Sequence, residues 1–208
     1  MASNTSLDAQ NIRFFINEGR CFLSGETLFP ISVPKDSDDE KCLVAPFGVK
    51  VFDEKKTLSV TLSDSLLQDI EKFEGEMWEK MIQEEYFQGC KKYHSNIRKN
   101  QNGNLLNLKV TDKTVCMQFD RKRGTFTKCS TDKILPQSRL GMIVKLGSPW
   151  RYPIGREERA GISLYVDQVV IMGAGKAIAK KTHVLKDMIA QQSKKKLKFM
   201  DHIENDSN

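Results

Sequence analysis

The chain reads as a β-rich α+β domain, on three observations. Short apolar segments recur between turn signals along residues 12–62 and again along 105–172. One stretch of helical periodicity, 65–88, is inserted between those two groups. Residues 139–172, RLGMIVKLGSPWRYPIGREERAGISLYVDQVVIM, place two alternating strands on either side of a loop rich in arginine and aromatic residues.

Residues 1–11 are small and polar, and a disordered leader is expected there. The apolar runs 12–16 and 21–23 surround Asn17, Glu18 and Gly19, which is hairpin-turn chemistry. A loop should follow, because Pro30, Pro34 and the acidic run 36–40 do not suit a central strand. Residues 42–52 and 58–62 form a second expected hairpin, turned at 53–56. Ser63, Asp64 and Ser65 supply N-cap chemistry, with Ser65 and Gln68 at capping-box spacing. Leu66, Leu67, Ile70, Phe73, Met77, Trp78, Met81 and Ile82 then share one helical stripe. The opposite face carries Asp69, Glu71, Glu74, Glu76, Glu79, Glu84 and Glu85 and is expected to meet solvent.

Beyond the helix, 105–110 and 114–119 are strand-like, and 125–128 returns from a turn holding Arg121, Lys122 and Arg123. Within 139–172, Met142, Val144 and Leu146 share a face. Ile162, Leu164 and Val166 share another, with Ser163, Tyr165 and Asp167 opposite them. The glycines at 173 and 175 break the last strand, and 176–199 reads as a basic amphipathic helix. The expected organisation is a leader (1–11), one domain (12–172) and a basic helical tail (173–208). Short strands with one inserted helix fit an OB-fold-like small β-barrel, closed or nearly so, with the basic helix appended; a β-sandwich is the alternative.

Charge narrows the function classes. Residues 1–90 hold 9 Lys and Arg against 17 Asp and Glu, whereas residues 91–133 hold 11 against 3. Such segregation suits a protein with one face for a polyanion and another turned away from it. No run reaches the roughly 18–20 apolar residues of a membrane helix, and the N-terminus has no signal-peptide layout. An intracellular protein, cytoplasmic or nuclear, with no membrane partner is expected. The five cysteines are scattered with no CxxC pair, which points to reduced thiols. Cys90 and His94 stand four apart, but with Cys116 and Cys129 they match no common zinc spacing. P-loop, GxGxxG, HExxH, GxSxG and kinase patterns are all missing from the sequence. No enzyme, metal or cofactor is expected.

The candidate site follows from aromatic residues set among cations. Trp150, Arg151, Tyr152, Arg156 and Arg159 occupy the loop punctuated by Pro149, Pro153 and Gly155, and Tyr165 lies on the strand after it. Arg121, Lys122 and Arg123 sit beside Phe126, and Lys91, Lys92 and Tyr93 form a third group. Rings of this kind stack on bases while cations meet phosphate. The competing reading of Trp150 and Tyr152 is a satellite core beneath a long loop.

The order Ala45-Pro46-Phe47-Gly48-Val49 leads into Leu58-Ser59-Val60-Thr61-Leu62 and the acidic helix with Trp78. With the late strand, the aromatic loop and the closing run Gly161-Ile162-Ser163-Leu164-Tyr165-Val166-Asp167-Gln168-Val169, residues 42–172 resemble a known family. It is that of the OB-fold single-stranded DNA-binding proteins of large DNA viruses and, more distantly, of tailed phages. The resemblance implies a non-catalytic protein that coats single-stranded DNA in replication, repair or recombination, alongside replication proteins. The phage proteins end in a long acidic tail that recruits partners, whereas this chain ends basic with a short acidic tip. An RNA-binding protein or viral nucleoprotein is one alternative. Another is an interaction protein that forms homo-oligomers through the basic tail.

Overall fold

A computed structural model describes residues 9–25, 27–32, 42–100, 103–173 and 175. The acidic run 36–40 and the expected basic helix 176–199 lie outside them. The strands are β1 (Arg13–Asn17), β2 (Arg20–Ser24), β3 (Leu28–Ser32), β4 (Leu43–Ala45), β5 (Val49–Phe52) and β6 (Lys55–Thr61). Helix α1 (Asp64–Met81) follows, then β7 (Lys92–Tyr93), β8 (Ile97–Asn100), β9 (Gly103–Val110), β10 (Val115–Asp120) and β11 (Thr125–Lys128). Two long strands, β12 (Ser138–Ile154) and β13 (Glu157–Gly173), complete the order.

β12 and β13 are the spine. They pair antiparallel from Arg139↔Gly173 to Ile154↔Glu157, interrupted by register shifts. The expected loop around Trp150 is therefore corrected: it is a continuous hairpin arm closed by Gly155 and Arg156. Gly155 has φ +66°, as the first central residue of a II′ turn requires. Pro149 and Pro153 fit the arm because they are four apart. Strand N–H groups alternate sides, so both missing donors fall on the same side of β12. Among the described residues that side has no strand neighbour there, since β3 pairs with Met142–Lys145 and β4 with Ser138–Leu140. Along its other edge β13 takes three parallel partners in succession: β7 at Arg159 and Ala160, β9 at Tyr165, and β10 at Gln168–Ile171.

Among the described residues the fold is β-rich α+β and OB-like, with one α-helix inserted among the strands. The main sheet runs β11-β10-β13-β9-β6-β5 and does not close into a barrel. Turn chemistry sets the local hairpins. Asp53 and Glu54, with φ of 46° and 62°, join β5 to β6, and Glu18 and Gly19, with φ of 49° and 72°, join β1 to β2. Both pairs are the left-handed couples that match strand twist.

Helix α1 packs on one face of the sheet. Its N-cap is Ser63, the first of the three expected cap residues, whose hydroxyl accepts from the Leu66 N–H; the capping box expected from Ser65 and Gln68 does not start the helix. Ile70, Phe73, Met77 and Met81 are buried, as the apolar stripe predicts. The helix stops at Met81, short of the expected residue 88, and a 3-10 turn at Glu85–Phe87 carries the chain on. Lys80 donates to the carbonyls of Ala9, Gln10 and Ile12, and Ala9 and Ile12 are buried. The described end of the expected leader is thus docked on the helix.

One acidic residue departs from the expected solvent face. Glu74 is buried and accepts from Ser95 Oγ, the Asn96 backbone N–H and Asn96 Nδ2. Burial pushes its carboxyl above the ordinary value of 4.5, and these hydrogen bonds only partly oppose that. A carboxyl with a raised folded pKa holds its proton more tightly in the folded state. Its contribution is full below the unfolded value and is lost as pH rises through the window above 4.5. Glu74→Gln keeps an acceptor for Asn96 and removes the charge. The variant should gain on the parent in urea midpoint as pH rises above about 4.5. Parallel pH curves for the two proteins would contradict this.

Candidate nucleic-acid interface

Pairing register decides which side chains share a face. Trp150↔Gly161 and Tyr152↔Arg159 are opposed pairs two residues apart, so all point to the side of β13 that carries Ser163 and Tyr165. Helix α1 covers the opposite side, where Ile162, Leu164 and Val166 are buried. The outer face is therefore free of the helix.

Two glycines let rings lie flat on that face. A Cβ at Gly161 would meet the Trp150 ring at 2.7 Å, and one at Gly147 would meet the Tyr165 ring at 2.4 Å. The Trp150 ring also rests against His94, with centroids 5.5 Å apart. Burial and the neighbouring Arg159 lower the pKa of His94, which favours the neutral ring. Tyr152 is 65 % exposed, and Arg156 at the turn is exposed.

The other residues of the arm have structural ties. Arg151 donates to the Tyr86 carbonyl at 2.7 Å and pairs with Glu158, which braces the arm against the 3-10 turn. Arg159 pairs with Glu157 at 3.4 Å, while its buried Nε has no partner among the described residues. Lys91 and Lys92 are exposed beside the arm. Tyr93 turns inward: its ring stands 6.3 Å from Trp78 and its hydroxyl bonds to the Ile162 backbone. Burial and Glu74 raise its phenol pKa. Tyr93, named with Lys91 and Lys92 as a candidate site residue, thus packs against the core.

Crossing the sheet at right angles to the strands, the register lines up a row the sequence reading missed. Lys50 opposes Thr57, Thr57 opposes Lys109, Lys109 bridges to Tyr165, and Tyr165 opposes Lys145. Five adjacent strands carry it over roughly 19 Å, at about 4.8 Å per strand. Lys109 donates to Ser163 Oγ at 2.7 Å and lies over the Tyr165 ring at 5.5 Å. Lys50 lies over Phe47 at 4.1 Å. Among the described residues no carboxylate pairs with Lys50, Lys109 or Lys145. Partial burial, and then the like charge of Lys55, lower the Lys109 ammonium pKa. An anion seated here would relieve that repulsion. A signal did exist in the sequence, since each lysine stands alone between two apolar residues: Val49 and Val51, Leu108 and Val110, Val144 and Leu146. In a half-buried strand that pattern faces the middle residue outward.

Arg121, Lys122, Arg123 and Phe126 lie elsewhere. Asp120 accepts from the Lys122 and Arg123 N–H groups and shapes the β10–β11 turn. Phe126 is 58 % exposed and packs on Phe119 at 4.9 Å. Gln118 pairs with Ile171 at the far end of β13. Measured along that strand, the basic tip is roughly 50 Å from Arg159, at about 3.3 Å per residue. The structure brings the arm and the row together and leaves this tip apart.

No protein-family model and no curated protein matches the chain. Among solved structures, it is similar to gp2.5, a single-stranded DNA-binding protein encoded by bacteriophage T7. The identity there is 13 % over 67 % of this chain and 92 % of that one, with a TM-score of 0.45. The chain is also similar to the single-stranded DNA-binding protein from bacteriophage Enc34, at 9 % identity over 82 % of this chain and 94 % of that one, TM-score 0.46, and to the same protein in complex with single-stranded DNA, at 10 % identity over 83 % and 100 %, TM-score 0.43.

Proposed function

We propose that this protein binds single-stranded DNA without catalysis and with little regard to sequence, where strands are exposed in replication, repair or recombination. The observation that carries the reading is the row Lys50–Thr57–Lys109–Tyr165–Lys145, on the same face of β13 as Trp150 and Tyr152 and on the side away from the helix. A strand laid across it would meet ammonium groups about two strand spacings apart, with the Tyr165 ring between Lys109 and Lys145 for a base. Single strands suit the face because stacking needs unpaired bases, which a duplex hides.

The test is fluorescence anisotropy with single-stranded DNA, duplex DNA and single-stranded RNA of equal length across a salt series. Single-stranded DNA should bind best, with a slope of log affinity on log salt of about −2 or steeper, at roughly −0.7 per phosphate contact. Replacing Arg121, Lys122 and Arg123 together by alanine should leave short oligonucleotides unaffected. Strands long enough to reach the distant tip should lose slope. Equal binding to all three nucleic acids would reduce the face to bulk charge, RNA preference would move the reading to an RNA-binding protein, and no binding at low salt would end it.

A further inference from the structure

We propose that Cys116 and Cys129 form a reversible disulfide site that staples the root of the β10–β11 hairpin. Their sulfurs stand 3.5 Å apart, and the Cys129 N–H donates to the Cys116 carbonyl at 2.9 Å. The two residues thus extend the β10–β11 ladder one pair past Met117↔Lys128. Opposed residues in a hydrogen-bonded antiparallel pair have Cα atoms about 5.5 Å apart, inside the roughly 4.4–6.8 Å that a disulfide spans.

The two thiols differ in access. Cys116 is buried against β13, opposite Val169, whereas Cys129 is half-buried. Burial and the Cys129 thiol push the Cys116 pKa up to about 12. Cys129 is therefore the thiol that reacts first with an external reagent. Its thiolate attacks one sulfur of a low-molecular-weight disulfide such as oxidised glutathione and releases one thiolate. Cys116, deprotonated, then attacks the Cys129 sulfur and expels the second. The protein gives up two protons and two electrons, and the reagent leaves as two reduced thiols. The bond closes a loop that holds Phe119, the basic tip and Phe126, on an edge strand whose residues are all exposed. A short closed loop of this kind restricts local opening.

The experiment treats the full chain, folded, with oxidised glutathione and then with excess dithiothreitol. Thiols counted after denaturation should fall from five to three and return on reduction. Peptide mapping should find residues 116 and 129 linked, and the intact mass should drop by two hydrogens. Amide exchange across 117–128 should slow by roughly tenfold or more. Cys129→Ser should abolish the link, and Cys116→Ser should accumulate a glutathione adduct on Cys129. A stable adduct in the parent chain, pairing of other cysteines, five persistent thiols or unchanged exchange would each overturn the proposal. These readouts involve no nucleic acid, so they stand or fall apart from the strand-binding reading.

Discussion

Replacing Lys109 and Lys145 together by glutamate should lower the affinity for single-stranded DNA by about a hundredfold at moderate salt, and the protein should stay folded. A charge-assisted contact is worth roughly 1.5–3 kcal/mol, so two of them amount to about 3 kcal/mol or more, and each 1.4 kcal/mol is about tenfold. The salt slope should fall by about 1.4 in size, since each single-strand phosphate contact adds roughly 0.7. Stability should barely move. Neither lysine pairs with a described acid, a glutamate at 109 can accept from the Ser163 hydroxyl in place of the lost ammonium donation, and removing the Lys109 charge relieves its repulsion with Lys55. Anisotropy across a salt series, beside urea denaturation, separates the two quantities. Parent-like affinity and slope would remove the row from the interface. Lost binding together with an early urea midpoint would mark the lysines as structural.

Phe73→Ala should lower stability by about 3–5 kcal/mol. Phe73 is 3 % exposed and lies 5.8 Å, centroid to centroid, from Phe29 on β3. With Ile70 it faces Leu106, Val144, Leu146 and Leu164, so it fastens α1 to three strands of the sheet. Removing the ring leaves a cavity that a helix pinned at Ser63 and Lys80 cannot collapse to fill. Native stabilities are roughly 5–15 kcal/mol, so a large share would go. The urea midpoint should drop sharply at unchanged slope. A shift under about 1 kcal/mol would mean that the helix is held mainly by its ends.

Local patterns in the chain settled a good part of this structure. Spacing at 3.6 put Ile70, Phe73, Met77 and Met81 on the buried side of α1, and alternation put Ile162, Leu164 and Val166 inward. Asn17-Glu18-Gly19 and the residues around Asp53-Glu54 marked their turns, because a left-handed backbone at those positions depends on local chemistry. Alternation also faced Tyr165 outward, and it does the same for Lys50, Lys109 and Lys145 once each is seen between apolar neighbours. Tertiary structure alone decided the rest. The arm through Pro149 and Pro153 reads as a loop until the bare edge of β12 makes two missing donors harmless. Glu74 and Tyr93 read as surface residues until the segment after β7 brings Ser95 and Asn96 to Glu74, and the pairing of β7 with β13 brings Ile162 to Tyr93. Arg121–Arg123 and the Trp150 arm looked like one basic surface until the parallel pairing of β10 set them at opposite ends of β13. A strand's own pattern tells which way each side chain faces. Which strands stand beside it, and in what register, depends on contacts between residues far apart in the chain, and that is where the candidate interface is assembled.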